Sequence, residues 1–419
     1  MSPSPFSSLR LARSRAGRSG FTLVELMVAM CGGLFLSLAV MALTRDFSRF
    51  SMQQMRISNA TLAGANGFDR LVNDLARTGY LVTPNINSDP RVCNRPIAGW
   101  PALLGQLRAL TLNTTGASAA NTEVSRAGIT PMSVTIAGAL DMGEELTITA
   151  VSVTGGQNMV GIRVDTPAAA RIGLSATNPA NNATILGNIF LPGGVGRAIR
   201  ISQNDGLEQY AVVAAINQNP LQLQLAAIPA IQYRANASAT QCGVLGHCTG
   251  CTVNVINFVR YELRSLNAAP GAYAELFNAS AESNLPYEAG RVELMRDELD
   301  PGGTVLAGTS ELVAEYATDL QFTIIQATGP NNPTLFNPLP AAINGTYPST
   351  QLIRGIRARL AVRSREADRG ADVFGAAPGQ YRISLQGSGG TSAAQYGFAR
   401  VRSLQADVAV RNLEGANWN

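Results

Sequence analysis

The sequence predicts an α+β chain: a long N-terminal helix whose first half can cross a membrane, then an antiparallel β-sheet head that carries an inserted β-rich subdomain. Three observations predict this. An apolar run begins at Phe21 and ends near Leu43, a helical stripe of apolar residues follows as far as Gly79, and period-two alternation takes over beyond Tyr80. Apolar residues make up 46 % of the 419 residues and charged residues 14 %, enough for a sizeable core and too apolar for wholesale disorder.

Residues 1–20 read as a polar leader of small side chains with Arg10, Arg13, Arg15 and Arg18, ending at Gly20. Residues 21–43, FTLVELMVAMCGGLFLSLAVMAL, are expected to span the membrane, since ~20 apolar residues at ~1.5 Å each cross a hydrocarbon core of ~30 Å. Arginines ahead of the run place the N-terminus in the cytoplasm and the bulk of the chain outside it. An ordinary secretory signal puts its small cleavage residue after the apolar region. Here Gly20 comes before it, so cleavage at that point would remove the leader and leave the anchor in place.

Glu25 is the one ionisable group in the run, and a carboxylate in that setting costs a few kcal/mol unless it is paired. Cleavage after Gly20 would create an α-amino group on Phe21 and make Glu25 the fifth residue of the mature chain. An amine of the same or a neighbouring copy is the expected partner. Residues 44–80 continue the helix as an amphipathic segment. Phe68, Leu71, Val72 and Leu75 fall at i, i+3, i+4 and i+7, with Leu62 and Met55 extending the face backward and Gly79 as the stop. The whole helix, Phe21 to about Gly79, would be ~90 Å long. Gly64 and Gly67 weaken its middle by up to ~1 kcal/mol each and predict a place to bend.

The head divides into 81–130, the inserted subdomain 131–229, and 230–419. Alternation marks its strands. In NFVRYELRS, Val259, Tyr261 and Leu263 oppose Arg260, Glu262 and Arg264; in GIRARLAVRS, Ile356, Ala358, Leu360 and Val362 oppose Arg357, Arg359 and Arg363; in SLQADVAVRN, Leu404, Ala406, Val408 and Val410 oppose Asp407 and Arg411. The arginines read as the solvated face of an antiparallel sheet. The inserted stretch holds SVTIAG, ELTITAVSV, VGIRV, AIRISQNDGLEQYAVVAAI and LQLQLAAI, with Asn204-Asp205-Gly206 as a tight turn between strands. Residues 114–121, 175–182 and 329–349 read as surface loops.

Little catalytic chemistry is on offer. All 32 cationic residues are arginine, which removes Schiff-base lysines and Walker-type phosphate loops. The only histidine is His247, and no GxSxG elbow accompanies it. No enzymatic activity and no cofactor are expected. A net charge of +4 without an arginine block interleaved with aromatics gives no ground for nucleic-acid contact. Asp368, Arg369 and Asp372 lack calcium-loop spacing and read as a solvated turn. Cys31, in the apolar run, reads as a small packing residue. Outside the cytoplasm, Cys93, Cys242, Cys248 and Cys251 are expected to form disulfides, in any of three pairings. Two sharper readings are weaker: no βαβ pattern surrounds the Cys248-x-x-Cys251 pair, and a zinc site of Cys242, His247, Cys248 and Cys251 has poor spacing.

The segment GFTLVELMVA resembles the class III leader and N-terminus of type IV pilins and type II secretion pseudopilins. NDLARTGY (residues 73–80), VRYELR (259–264), ELVAEYATDLQFTI (311–324), IRARLAVRSRE (356–366) and VRSLQADVAVRNL (401–413) are similar to PilW-type minor pilins. The resemblance implies a pilin-like fold, cleavage by prepilin peptidase between Gly20 and Phe21, and N-methylation of Phe21. It also implies that Glu25 neutralises the N-terminus of an adjacent subunit during assembly. Implied partners are other minor pilins, the major pilin, the inner-membrane assembly platform and membrane lipid. The implied location is the inner membrane with a periplasmic head, then the pilus, with a role in initiating assembly and hence in twitching motility and adhesion. A type II secretion pseudopilin, and a pilus-tip adhesin whose inserted subdomain binds a surface ligand, are the alternatives that the same residues leave open.

Overall fold

The structure, a computed structural model, describes residues 21–114, 122–236, 242–248, 250–266, 273, 290–327, 333–336, 350–365, 381–385 and 397–413. Two compact units divide the chain, Met1–Met55 and Arg56–Asn419. In the first unit the described residues are almost wholly helical, and its large apolar side chains from Phe21 to Met55 are exposed. This helix, α1 (Leu23–Ala76), continues into the second unit and stops near the residue the sequence suggests. Gly79 follows in a left-handed conformation (φ 77°), which an L side chain rarely adopts, and its N–H donates to Ala137 O at 2.9 Å.

The second unit is α+β. Ten strands form a first antiparallel sheet system: β1 (Leu110–Asn113), β2 (Ser133–Gly138), β3 (Leu146–Thr154), β4 (Gln157–Ile162), β5 (Ala198–Ser202), β6 (Glu208–Asn217), β7 (Gln222–Leu225), β8 (Thr252–Arg264), β9 (Glu293–Leu299) and β10 (Glu311–Ala314). A second sheet has the order β12-β11-β13-β15-β14, from β11 (Ala317–Ala327), β12 (Pro333–Phe336), β13 (Ile353–Arg363), β14 (Arg382–Ser384) and β15 (Phe398–Ala409). Phe68, Leu71 and Leu75 of α1 lie in one core with Val134 and Ile136 of β2, Val259, Tyr261 and Leu263 of β8, Leu320 and Phe322 of β11, and Ile356, Leu360 and Val362 of β13. Each such side chain contributes about 1.5–3 kcal/mol on burial. The stripe at i, i+3 and i+7 is thus the face that joins the helix to both sheets.

Gly64 and Gly67 have a role that helix propensity does not reveal. A Cβ on Gly64 would stand 2.9 Å from Val362 Cγ2, and one on Gly67 would collide with the Val313 carbonyl oxygen. These glycines let the helix backbone approach β13 and β10, and α1 runs through both without interruption.

Strand β8 serves two structures. Its first residues, Thr252–Ile256, pair with β5 on one edge while Thr252 and Val253 pair with β3 on the other. Since β3, β4, β7, β6 and β5 pair in that order, the ladder closes into a six-stranded antiparallel ring. Its core holds Leu146, Ile148, Val160, Ile199, Ile201, Val213, Leu223, Val253 and Val255, with Leu186 and Phe190 from the helix Asn182–Phe190. The second half of β8 pairs instead with β2 and β9 in an open sheet. The inserted unit expected over 131–229 is therefore drawn differently. Of that stretch, β2 belongs to the open sheet and β3 to β7 to the ring, and the ring closes only through residues 252–256. The 175–182 loop ends in a 3-10 turn, Pro179–Asn181, that leads into the ring's helix.

The arginine faces are also less solvated than alternation suggests. Arg357 pairs with Asp407 at 2.6 Å on a half-exposed surface, whereas the Arg363 side chain is 0 % exposed and bonds Glu123 at 2.7 Å. Arg260 and Arg264 bind Glu262 and the fully buried carboxylate of Asp297. Asp297 comes from β9, so the pairing that partly shields these arginines depends on chain more than thirty residues away.

Candidate assembly site

Gly20, Asp368, Arg369 and Asp372 lie outside the described residues. Phe21 is 86 % exposed and stands just before the first turn of α1. Glu25 sits in that turn and already has a local partner. Its Oε2 accepts from the Thr22 N–H and the Thr22 hydroxyl, both at 3.0 Å, while the Glu25 N–H donates to Thr22 Oγ1 at 3.3 Å. This reciprocal pair is a capping box, which satisfies orphan backbone donors and places a carboxylate at the positive end of the helix. Its sequence signal is the T-x-x-E spacing of Thr22-Leu23-Val24-Glu25, which a search for charge partners alone passes over.

Downstream, no apolar side chain of the anchor is covered. Leu26, Met30, Leu34, Phe35, Leu38, Met41, Leu43, Phe47 and Met52 are each more than half exposed. The apolar part of the helix covers Leu23–Met52, 30 residues, long and apolar enough to cross a membrane by length and composition. Two of its hydroxyls bond back within the helix: Ser37 donates to Gly33 O and Thr44 to Val40 O, both at 2.8 Å. Arg45 and Asp46 fall inside this segment, beyond the expected end at residue 43. Cys31 is unpaired and exposed on the same helix.

The remaining cysteines pair as Cys93–Cys242 and Cys248–Cys251. The first bridge joins points 149 residues apart and ties the segment after α1 to the chain that returns beside the ring; the second closes a loop of sequence separation 3. No group of three or more histidine, cysteine or acidic side chains able to share a metal ion lies together among the described residues. Cys93 is seated by backbone pairing: its N–H donates to Glu208 O at 2.8 Å, and Asn94 exchanges two hydrogen bonds with the Tyr210 backbone.

The strongest ionisable cluster in the head is strand β9, buried along its whole length although four of its side chains are charged. Arg291 Nε donates to Glu293 at 2.7 Å, Arg296 to Asp74 of α1 at 2.8 Å, Arg264 to Asp297 at 3.1 Å, and Arg197 to Glu298 at 2.6 Å. Burial pushes Glu293 up to about 7 against the pull of Arg291, and burial likewise raises Glu298 and Glu262. Tyr316, at a positive φ of 54°, lies between the guanidinium groups of Arg291 and Arg363, at 5.0 and 4.8 Å from its ring centre. These contacts join α1, the ring and both sheets of the second unit. Apart from Arg291 and Glu293, which are two residues apart, the partners are distant in the chain, so no local pattern announces them.

Comparison with protein-family models, with curated proteins and with solved structures finds no match to this chain.

Proposed function

We propose that this chain is a minor pilin, a structural subunit that helps to initiate a type IV pilus. The observation that carries the reading is the start of α1: an uncovered apolar helix in which Glu25, five residues after Gly20, is the one charged side chain before Arg45. Prepilin peptidase removes residues 1–20, Phe21 becomes the N-methylated terminus, and the helix holds the protein in the inner membrane with its head in the periplasm. Thr22 satisfies Glu25 before assembly. In the filament the carboxylate then pairs with the amine of a neighbouring subunit, which removes two charges from an apolar bundle at once. The exposed side chains from Leu23 to Met52 supply the bundle's contacts, with other minor pilins and the major pilin as partners.

Two variants test the reading in pilated cells. Gly20→Ala should leave the leader attached, and Glu25→Arg should lower the subunit's amount in sheared pili at least tenfold while it still accumulates in the membrane. Wild-type incorporation of both variants would overturn the proposal.

A further inference from the structure

The first hairpin of the ring is longer than the ring. Strands β3 and β4 pair as far as Thr154 and Gln157, across the two-residue turn Gly155-Gly156, whose φ angles are 59° and 79°. On its other edge β3 pairs with β8 only at Leu146 and Thr147, and the Ile148 N–H adds one bond to Cys251 O at 2.9 Å. Strand β4 in turn pairs with β7 only from Met159 onward. The tip therefore projects past its neighbours, and a Cβ on Gly155 or Gly156 would meet nothing within 4 Å.

The register says which backbone groups this leaves over. A two-residue turn makes Thr154 and Gln157 a hydrogen-bonded pair, and ladder bonds alternate from there. Ser152 thus bonds to β4, while the N–H and C=O of Val151 and Val153 point to the outer edge. The Val151 carbonyl meets the Gly246 N–H there at 3.5 Å. Val153 has no backbone partner on that edge among the described residues, and it is 54 % exposed. Nothing blunts the edge: from Leu146 to Ile162 there is no charged residue and no proline. The outer strands of the two sheets are protected by comparison. Strand β1 has only four residues, β10 starts at Glu311, β12 starts at Pro333 and β14 contains Arg382.

We propose that the free edge of β3 is a docking surface for the same edge of a second copy of this chain, paired antiparallel about a two-fold axis at Val153. Each Val153 N–H then donates to the Val153 carbonyl of the other copy, and β4-β3 of one copy continues into β3-β4 of the next. Two features of the edge select this occupant. A two-fold axis sets residues against their own copies, and a hairpin without charges meets no like-charge repulsion there. In this register Val151, whose carbonyl is already met by Gly246, faces Gly155 of the second copy, which has no side chain to collide. Two strand edges bury little surface, so the contact is weak and reversible. This inference is independent of the minor-pilin reading.

The test places a cysteine on the proposed axis, in the full chain in detergent, with Cys31→Ala to remove the free thiol. The pairing sets the two residue-153 Cα atoms about 5.5 Å apart, a span that a disulfide bridges. Under mild copper–phenanthroline oxidation, Val153→Cys should form crosslinked dimer at least tenfold faster than Gln157→Cys, an exposed position on the far strand of the same tip. In the chain without substitutions, the Val153 amide should exchange with deuterium at least threefold more slowly as the protein is concentrated. Equal crosslinking at the two positions, which association through α1 alone would give, or exchange at Val153 that is independent of concentration, would each overturn the proposal.

Discussion

Glu293 is a carboxyl group whose neighbours compete. Burial raises its pKa to about 7, the Arg291 guanidinium and the Leu266 N–H pull it down, and Glu123 adds to the rise. The folded value lies above the unfolded one of 4.5, so the contribution to stability is complete below about pH 4.5 and is lost as pH climbs through 7. Glu262 and Glu298 act in the same direction. Asp89 acts in the opposite one: burial raises it, but Arg91 and Thr83 outweigh that and hold its carboxyl below the usual range, so its effect falls in acid, outside this window. The head should lose stability between pH 5 and pH 8. Glu293→Gln, which keeps a hydrogen-bonding partner for Arg291 without the charge, should reduce that loss by about 1–3 kcal/mol in urea unfolding. Parallel pH profiles for the two proteins would remove Glu293 as the cause. At Gly67 the constraint is steric. Gly67→Ala must displace the Val313 carbonyl and should cost about 1–3 kcal/mol despite alanine's better helix propensity, measured by thermal unfolding of the same protein.

Among the elements, α1 and β8 were the most legible, and each for a physical reason. The stripe of Phe68, Leu71 and Leu75 and the alternation of Val259, Tyr261 and Leu263 report burial on one face, which period alone encodes. The other side of β8 was not legible. Arg260, Glu262 and Arg264 look solvated because nothing in NFVRYELRS announces that Asp297 will arrive from a distant strand to meet them. Strand β9, ELMRDEL, has no clean alternation at all, since its charges are buried with Arg291 just before it and with partners from three other parts of the chain. Ring closure was hidden for a similar reason: the closing residues, Thr252–Ile256, lie beyond the cysteine loop and far from the strands they join. The capping box at Thr22 is legible as T-x-x-E, a local spacing that the charge of Glu25 in an apolar run does not by itself point to. The disulfide pairing was one of three that the sequence allowed. Its two bridges should differ in weight, because a longer loop constrains the unfolded chain more. Replacing Cys93 and Cys242 by serine should cost about 4–5 kcal/mol and replacing Cys248 and Cys251 about 2, read from urea midpoints. Equal losses would contradict this ranking.

At the scale of the whole molecule, the chain combines an uncovered apolar helix with a head that pairs the buried charges of β9 and closes two disulfide bridges. The exposed apolar residues of α1 are the part that requires an environment. A bilayer supplies one such environment and a bundle of like helices supplies another. The minor-pilin reading uses both in turn, and it depends on one covalent event: removal of residues 1–20 with the helix left attached. Intact-mass and N-terminal peptide analysis of the protein purified from the membrane of its own cells measures that event directly. A mature chain that begins at Phe21, carries one extra methyl group on its terminal amine and retains Leu23–Met52 is the result predicted. A chain that still begins at Met1, or one that has lost the helix, would contradict it.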